Sequence, residues 1–395
     1  MYSTVLPVTL PPLTDSQRHD LLYDAALLSL HDAFAAVPDP RSRHGRRYDL
    51  PFLLTCFVAA LLCNCTHSEA VGQWCRAEPR LLRRLFGSRR FVTPTGALYR
   101  WLFPQLNALA LEQVLAAWVQ ATLVADPNEP VALDGKTLRG ARTSTQAAPH
   151  LLSFCTYRSH ETLLQVRVEE KTNEIPVAQT LLPTLPLRGR VCTADALHTQ
   201  VALMRVLHEA QAETVLTVKE NQPSLLADLI TYFADSAACY QQAETWDCHR
   251  GRIEVRRIKV STEMTTYLAA TWPYVAQVAQ LTRCVTKQGQ TRQEVVYLIT
   301  SLTPAQAPPQ RLLDLIRGHW HIENGLHYVR DVTFGEDRSQ LRTGNAPQVM
   351  ASLRNLAITL IHRTGSTQIA ATRRYLAFHP RHALYLILHQ RNPPR

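Results

Sequence analysis

No two cysteines in this sequence are spaced as CxxC, although there are nine of them, at positions 56, 63, 65, 75, 155, 192, 239, 248 and 284. The odd number and irregular spacing exclude a zinc ribbon and a disulfide framework, and point to reduced thiols in a cytoplasmic protein. Cys63 and Cys65 lie near His67, but no second ligand pair accompanies them, so they read as buried thiols. A secretory signal is also lacking: "MYSTVLPVTLPPLT" has neither a basic n-region nor an apolar h-region. The most apolar run, "FLLTCFVAALLC" (52–63), is too short to span a bilayer and reads as a buried helix. No internal repeat is visible. Acidic residues are in deficit, leaving a formal net charge of +10. That excess favours a polyanionic partner, nucleic acid before membrane. What is present is ample: 395 residues, 46% of them hydrophobic, suggest two or three domains with a proper core and exclude wholesale disorder.

Residues 1–125 read as helical, with Thr14 as a cap for the first helix and a Pro- and Arg-rich loop, "PDPRSRHGRRYDLP", at 38–51. "TPTGALYRWL" suggests a capped helix able to touch a duplex, and both a helix-turn-helix and a plain bundle with a basic face fit this half. From Val131 the pattern changes. "VALD", "LLSFCTYR", "LLQVRVEE", "RVCTAD" and "ETVLTVKENQ" read as strands, with helical "IPVAQTLLPTL" before the fourth and "HTQVALMRVLHEA" before the fifth. Three strands, a helix, a strand, a helix and a strand is the order of a ribonuclease-H-like α/β domain, among other candidates. Between 236 and 310, "CHRGRIEVRRIKVS", "VAQVAQLTRCVT" and "RQEVVYLITSL" read as three strands of a β-rich insertion. Helical periodicity returns over 311–365, and 366–395 reads as a C-terminal tail, frayed at "HQRNPPR".

Asp134 ends the first strand of this reading and Asp195 the fourth. In a ribonuclease-H-like sheet those strands are neighbours, so the two carboxylates meet at one edge. Like charges at that distance repel unless a cation lies between them. Magnesium suits this, bound through carboxylates, waters and phosphate oxygens, and a third acid would complete a site for in-line phosphoryl displacement. Candidates for that acid are Glu323, Asp331, Glu336 and Asp337. His319, Glu323 and Arg330 are spaced by four and seven and so share one helical face, where cationic neighbours suit DNA phosphates.

The motifs "LDGKTLRGAR", "EEKTNEIPVAQTLLP", "TADALHTQ", "TVKENQPSL", "HRGRIEVRRI" and "HWHIENGLHYVRDVTFGEDRSQLRTGNAPQVMASLRNLA" occur in that order. Together they resemble the insertion-sequence DDE transposases of the ISAs group, whose relatives include the H-repeat-associated proteins. "VPDPRSRHGRRYDLPFLLTCFVAALLCNCTHSEAVGQW" is similar to that family's helical associated domain. The resemblance implies an α/β fold: a ribonuclease-H-like catalytic core with a β-rich insertion between the second and third acids, preceded by an N-terminal helical domain. It implies magnesium-dependent strand cleavage and transfer at element ends, with manganese as a substitute ion. It places the acids on Asp134, Asp195 and Glu323. The broader superfamily has Tyr, Arg, Glu and Lys at fixed spacing on the last helix. Here Ile316, His319 and Arg330 stand where Tyr, Arg and Lys are expected.

Lys136, Arg139, Lys219 and Asn221 are candidate DNA-backbone contacts; solvated turns are the rival reading. His198 reads as a satisfied histidine, and Lys171, Asn173 and Glu174 as either cleft-lining residues or a helix start. In an extended strand Arg250, Arg252, Glu254 and Arg256 share one face, with Arg257 and Lys259 beside them, which suits DNA or a charge-defended edge strand. Trp246 and Trp272 suit base stacking or the core. Arg41, Arg43, Arg46, Arg47, Arg83, Arg84, Arg89 and Arg90 are further candidate duplex contacts. The expected partner is double-stranded DNA, both terminal inverted repeats and target, bound by a homodimer because two ends must be joined. The chain would be nucleoid-associated when on DNA, with no membrane partner. The rivals are a metal-dependent nuclease that cuts without joining and a domesticated protein that only binds DNA. Glycine at 135 is expected to let the chain turn away from the acid-bearing strand end.

Overall fold

The computed structural model describes residues 29–44, 46–86, 92–122, 126, 128–144, 147–168, 174–249 and 251–388. The cap at Thr14, the residues Arg89, Arg90, Lys171, Asn173 and Arg250, and the terminal "HQRNPPR" lie outside them.

The centre is a sheet of nine strands among the described residues. They are β1 (Val131–Thr137), β2 (His150–Thr156), β3 (Thr162–Val168), β4 (Val191–Ala194), β5 (Glu213–Val218), β6 (Gln241–His249), β7 (Arg252–Ser261), β8 (Gln277–Lys287) and β9 (Gln290–Thr300). Their spatial order is β3-β2-β1-β4-β5-β9-β8-β7-β6. β1, β2 and β3 are antiparallel neighbours, while β4 and β5 run parallel to β1. The near-continuous burial of Val131–Leu133 and Val191–Ala194 fits strands covered on both faces.

Two sequence-based boundaries move. β1 does not stop at Asp134; it continues to Thr137, paired with β2 alone through Thr137↔His150. And 236–310 contributes four strands rather than three. "CHRGRIEVRRIKVS" is not one strand: its first residues end β6, and Gly251, at φ +72°, turns the chain into β7. Strands β6–β9 do not form a separate sheet, because β9 pairs antiparallel with β5 through Val215↔Thr300 to Val218↔Tyr297.

Helix α1 (Leu50–Leu62) is buried on almost every side, as its sequence predicts. Asp49 caps it by accepting from the Phe52 N–H. α2 (Ser68–Ala77) crosses α3 (Gly96–Leu102) at a point where a Cβ on Gly72 would stand 2.4 Å from the Gly96 nitrogen. Thr95 caps α3, as expected, by accepting from the Leu98 N–H. The segment expected as a tail holds two helices, α4 (Ile369–Phe378) and α5 (Pro380–Leu388). Both pack on α1: Arg373 Nε donates to the Leu61 carbonyl and Cys63 Sγ to the Leu376 carbonyl. Cys63 is thus a buried thiol, pushed well up by burial, and His67 is a helix cap, accepting from the Ala70 N–H. No disulfide joins the nine cysteines. No helix among the described residues is long and apolar enough to cross a membrane.

One long helix, α6 (Pro309–Ile322), packs against β1, β4, β6 and β7. It approaches closely because Gly318 and Gly325 carry no side chain. A Cβ at Gly318 would stand 2.2 Å from the Tyr157 ring, and one at Gly325 would stand 2.3 Å from the His160 ring. The chain then continues as two π-helical turns, Glu323–His327 and Val329–Thr333, bonded Tyr328 N→Glu323 O and Phe334 N→Val329 O.

Candidate active site

The parallel register of β1 and β4 pairs Leu133 with Ala194. The next residues, Asp134 and Asp195, therefore stand side by side at one sheet edge. Glu323 arrives from the end of α6. All three line one cavity of about 350 Å³, together with Lys219, Arg283 and the half-buried His319. Burial pushes the Asp134 carboxyl up to about 6; His327 and the Gly135 N–H oppose this, while Asp195 and Glu323 add to it. The hydrogen bond from His327 holds the Glu323 carboxyl below its ordinary value against burial, helped by His327, Lys136 and Arg139 charge.

His327 was not anticipated. It is 2% exposed, and its Nδ1 lies 3.2 Å from Glu323 Oε2 and 3.4 Å from Asp134 Oδ2. Asp134, Glu323 and His327 are the described residues whose ligand atoms gather within 4.8 Å of one another. A signal existed in "ENGLH", where His327 follows Glu323 by four. Trp320, 59% exposed, also lines the cavity and was missed.

The rival third acids are engaged elsewhere. Asp331 accepts from Lys136 Nζ at 2.6 Å. Glu336 is 4% exposed and bridges Arg330 and Arg354. Asp337 is exposed on the turn after the helix.

The candidate DNA contacts separate. Arg139 and Lys219 are exposed, Lys219 on the cavity wall and Arg139 within electrostatic reach of Glu323. Three expectations are corrected. Arg330 does not share a face with Glu323, because π turns bonded i→i+5 add a residue per turn and rotate it away. It is fully buried, donating to Glu336 and to Gln165 Oε1. Burial lowers His319 to about 4, so it is not a cation for phosphate; its Nδ1 lies 2.9 Å from Thr193 Oγ1. Lys136, with its side chain 11% exposed, is committed to Asp331 instead of open to DNA.

Asn221 Nδ2 donates to the Ala196 carbonyl at 2.6 Å, so it braces the turn after Asp195. On β7, Arg252 and Arg256 do share a face, but Glu254 between them accepts from both and from Arg283. Arg256 also reaches Asp247. Trp272 is core and Trp246 is exposed. In the N-terminal half Arg41 and Arg46 pair with Asp39, while Arg43, Arg47, Arg83 and Arg84 are exposed.

Beneath the acids lies a carboxylate between two histidines. Glu174 Oε1 is 2.5 Å from His150 Nε2, and its Oε2 is 2.7 Å from His198 Nε2. His150 Nδ1 continues to Thr137 Oγ1 at 2.8 Å. Burial works against the charge of Glu174, but the two histidines hold it down at about 2. His198, in the turn after Asp195, and Thr137, at the end of β1, are thereby tied together. His198 is buried and held through Nε2, while its buried Nδ1 has no hydrogen-bond partner among the described residues, so it is not the fully satisfied histidine expected.

Residues 126–360 match the family described as "Transposase DDE domain", and 31–119 match "DDE_Tnp_1-associated". The chain is 24% identical to "Putative transposase YncI" of Escherichia coli O157:H7, over 85% of this chain and 88% of that one. It is 23% identical to "H repeat-associated putative transposase YhhI" of Escherichia coli K12, over 85% and 90%. A protein of Xanthobacter autotrophicus, "Uncharacterized protein in dhlA 3'region", is 31% identical over 58% of this chain and 80% of its own length. A solved structure of piggyBac transposase in a synaptic complex with hairpin DNA aligns over 95% of this chain and 84% of its own, at 12% identity and a TM-score of 0.42.

Proposed function

Because the chain belongs to the DDE_Tnp_1 transposase family and is therefore a DNA transposase, we propose that it cuts the ends of its own element and joins them to a target with magnesium. The reading rests on one observation above the rest: Asp134, Asp195 and Glu323, far apart in sequence, converge on one cavity. Family membership implies divalent metal use. The donor set fits a hard cation, since two carboxylates gather with an imidazole, and Asp134 is pushed up to about 6 by burial, with Asp195 and Glu323 adding to it. Asp134, Asp195 and Glu323 are the residues that would hold the ion. When bound, it would lower the pKa of an attacking water and offset charge on the scissile phosphate.

The chain's own groups supply the positioning. Lys219 on the cavity wall and the exposed Arg139, within electrostatic reach of Glu323, bind phosphate, where fixed cations draw the polyanion in. Asn221 and the Glu174 bridge hold the Asp195 turn against the end of β1, so the carboxylates are set before substrate arrives. Water attack frees a 3′ hydroxyl, which then attacks a target phosphodiester; no covalent protein–DNA link is formed. Strands β1–β5 with residues 311–365 make up the ribonuclease-H-like core, 236–310 its insertion, and 1–125 an associated DNA-binding domain. Two copies bring two ends together. A strand-transfer assay with end DNA, target DNA and magnesium tests this. Joined product is expected; nicks without joining, or retention without cleavage, would reject it.

A further inference from the structure

We infer that His327 is a nitrogen ligand of the cation held by Asp134 and Glu323, so that the site is a mixed oxygen–nitrogen centre that favours manganese over magnesium. The inference rests on the metal-site reading given above. His327 is 2% exposed and reaches the site from the first π-helical turn. Its Nε2 is buried with no hydrogen-bond partner among the described residues, where the ring is held through Nδ1. Nδ1 stands 3.2 Å from Glu323 Oε2 and 3.4 Å from Asp134 Oδ2. The first is a hydrogen bond at the long end of the range of about 2.7–3.2 Å, and the second lies beyond that range. Both separations match adjacent donors around a cation at about 2.1 Å, which lie about 3.0–3.4 Å apart in octahedral or tetrahedral arrangement.

Asp134 is prepared in the same sense. Its Oδ1 accepts the Gly135 N–H at 2.9 Å, and Oδ2 is the atom that faces His327. Spaced by four, Glu323 and His327 stand on one wall of the site in the first π-helical turn. Imidazole contributes little to magnesium, which demands oxygen, and more to first-row transition ions.

The test is pulsed electron paramagnetic resonance of Mn2+ bound to the full chain, read for modulation by a directly coordinated nitrogen. Nitrogen coupling is expected in the wild type and its loss in His327→Ala. In titrations, His327→Ala should weaken Mn2+ binding roughly tenfold or more and Mg2+ binding far less. Mn2+ bound through Asp134, weakened by Asp134→Asn but showing no nitrogen coupling, would overturn the inference and leave His327 a hydrogen-bond donor. Mn2+ binding unaffected by Asp134→Asn would overturn the metal-site reading itself. Should His327→Ala fail to fold, the wild-type spectrum decides alone.

Discussion

Glu174 stands directly over Gly135: a Cβ built on the glycine would lie 2.5 Å from Glu174 Oε1 and 2.6 Å from His150 Nε2. The strand therefore needs glycine beside Asp134 for room, since β1 runs straight on through that position. Gly135→Ala should push the His150–Glu174 bridge aside and cost roughly 1–3 kcal/mol, as overpacking does. Chemical denaturation measures the loss, and cleavage should fall with it. An alanine variant with wild-type stability and activity would show that the bridge does not hold the acids.

Asp134 and Glu174 should make opposite contributions to stability with pH. Asp134 is raised to about 6 in the fold from its ordinary 3.8. The folded chain holds the extra proton between those values, so stability from this group falls as pH rises from about 4 to 6. Asp134→Asn should therefore stabilise the metal-free protein at pH 7, by roughly 2–3 kcal/mol at most, while abolishing cleavage. Glu174 is lowered to about 2 from 4.5. Its contribution is present above 4.5 and is lost as pH falls towards 2. Glu174→Gln should lower the melting temperature at pH 7. Thermal melts of both variants across pH 3–8 give the two signs.

DNA-binding assays over a salt series should sort the basic residues. Arg139→Ala and Lys219→Ala should each shallow the slope of log affinity against log salt by about 0.9. Lys136→Met should leave the slope unchanged, because that ammonium is engaged by Asp331. A reduced slope for Lys136→Met would mean the ion pair opens to admit phosphate.

Arg330→Met should act on the fold and not on DNA. It would strand Glu336, 4% exposed, with Arg354 as its remaining partner. Removing one member of a buried ion pair costs about 3–5 kcal/mol, to be read from the denaturation midpoint. A well-folded variant with weaker DNA affinity would return Arg330 to the interface.

The sequence was legible where periodicity and chain order carry the information. Apolar runs ending in Asp134 and Asp195 marked where the β1–β4 pairing ends, and the register agrees, although β1 itself runs on to Thr137. Arg330 was not legible because a spacing of seven presumes an α-helix, whereas the chain here bonds i→i+5 and Arg330 turns to Gln165 of β3. The role of His327 escaped because its partner Asp134 is 193 positions away. Gly135 looked like a turn because close approach leaves the same local trace as a bend. The four-stranded count of the insertion was hidden because β6 carries exposed, polar residues along its length.

The pairing of β9 with β5 ties residues 236–310 into the same sheet as the strands that carry Asp134 and Asp195. A deletion spanning 236–310 would leave β5 as a bare edge, with the backbone groups that now meet Tyr297–Thr300 turned to solvent or to another chain. Trimming the outer hairpin of β6 and β7 would leave the β5–β9 pairing in place, whereas removing β8 and β9 would not.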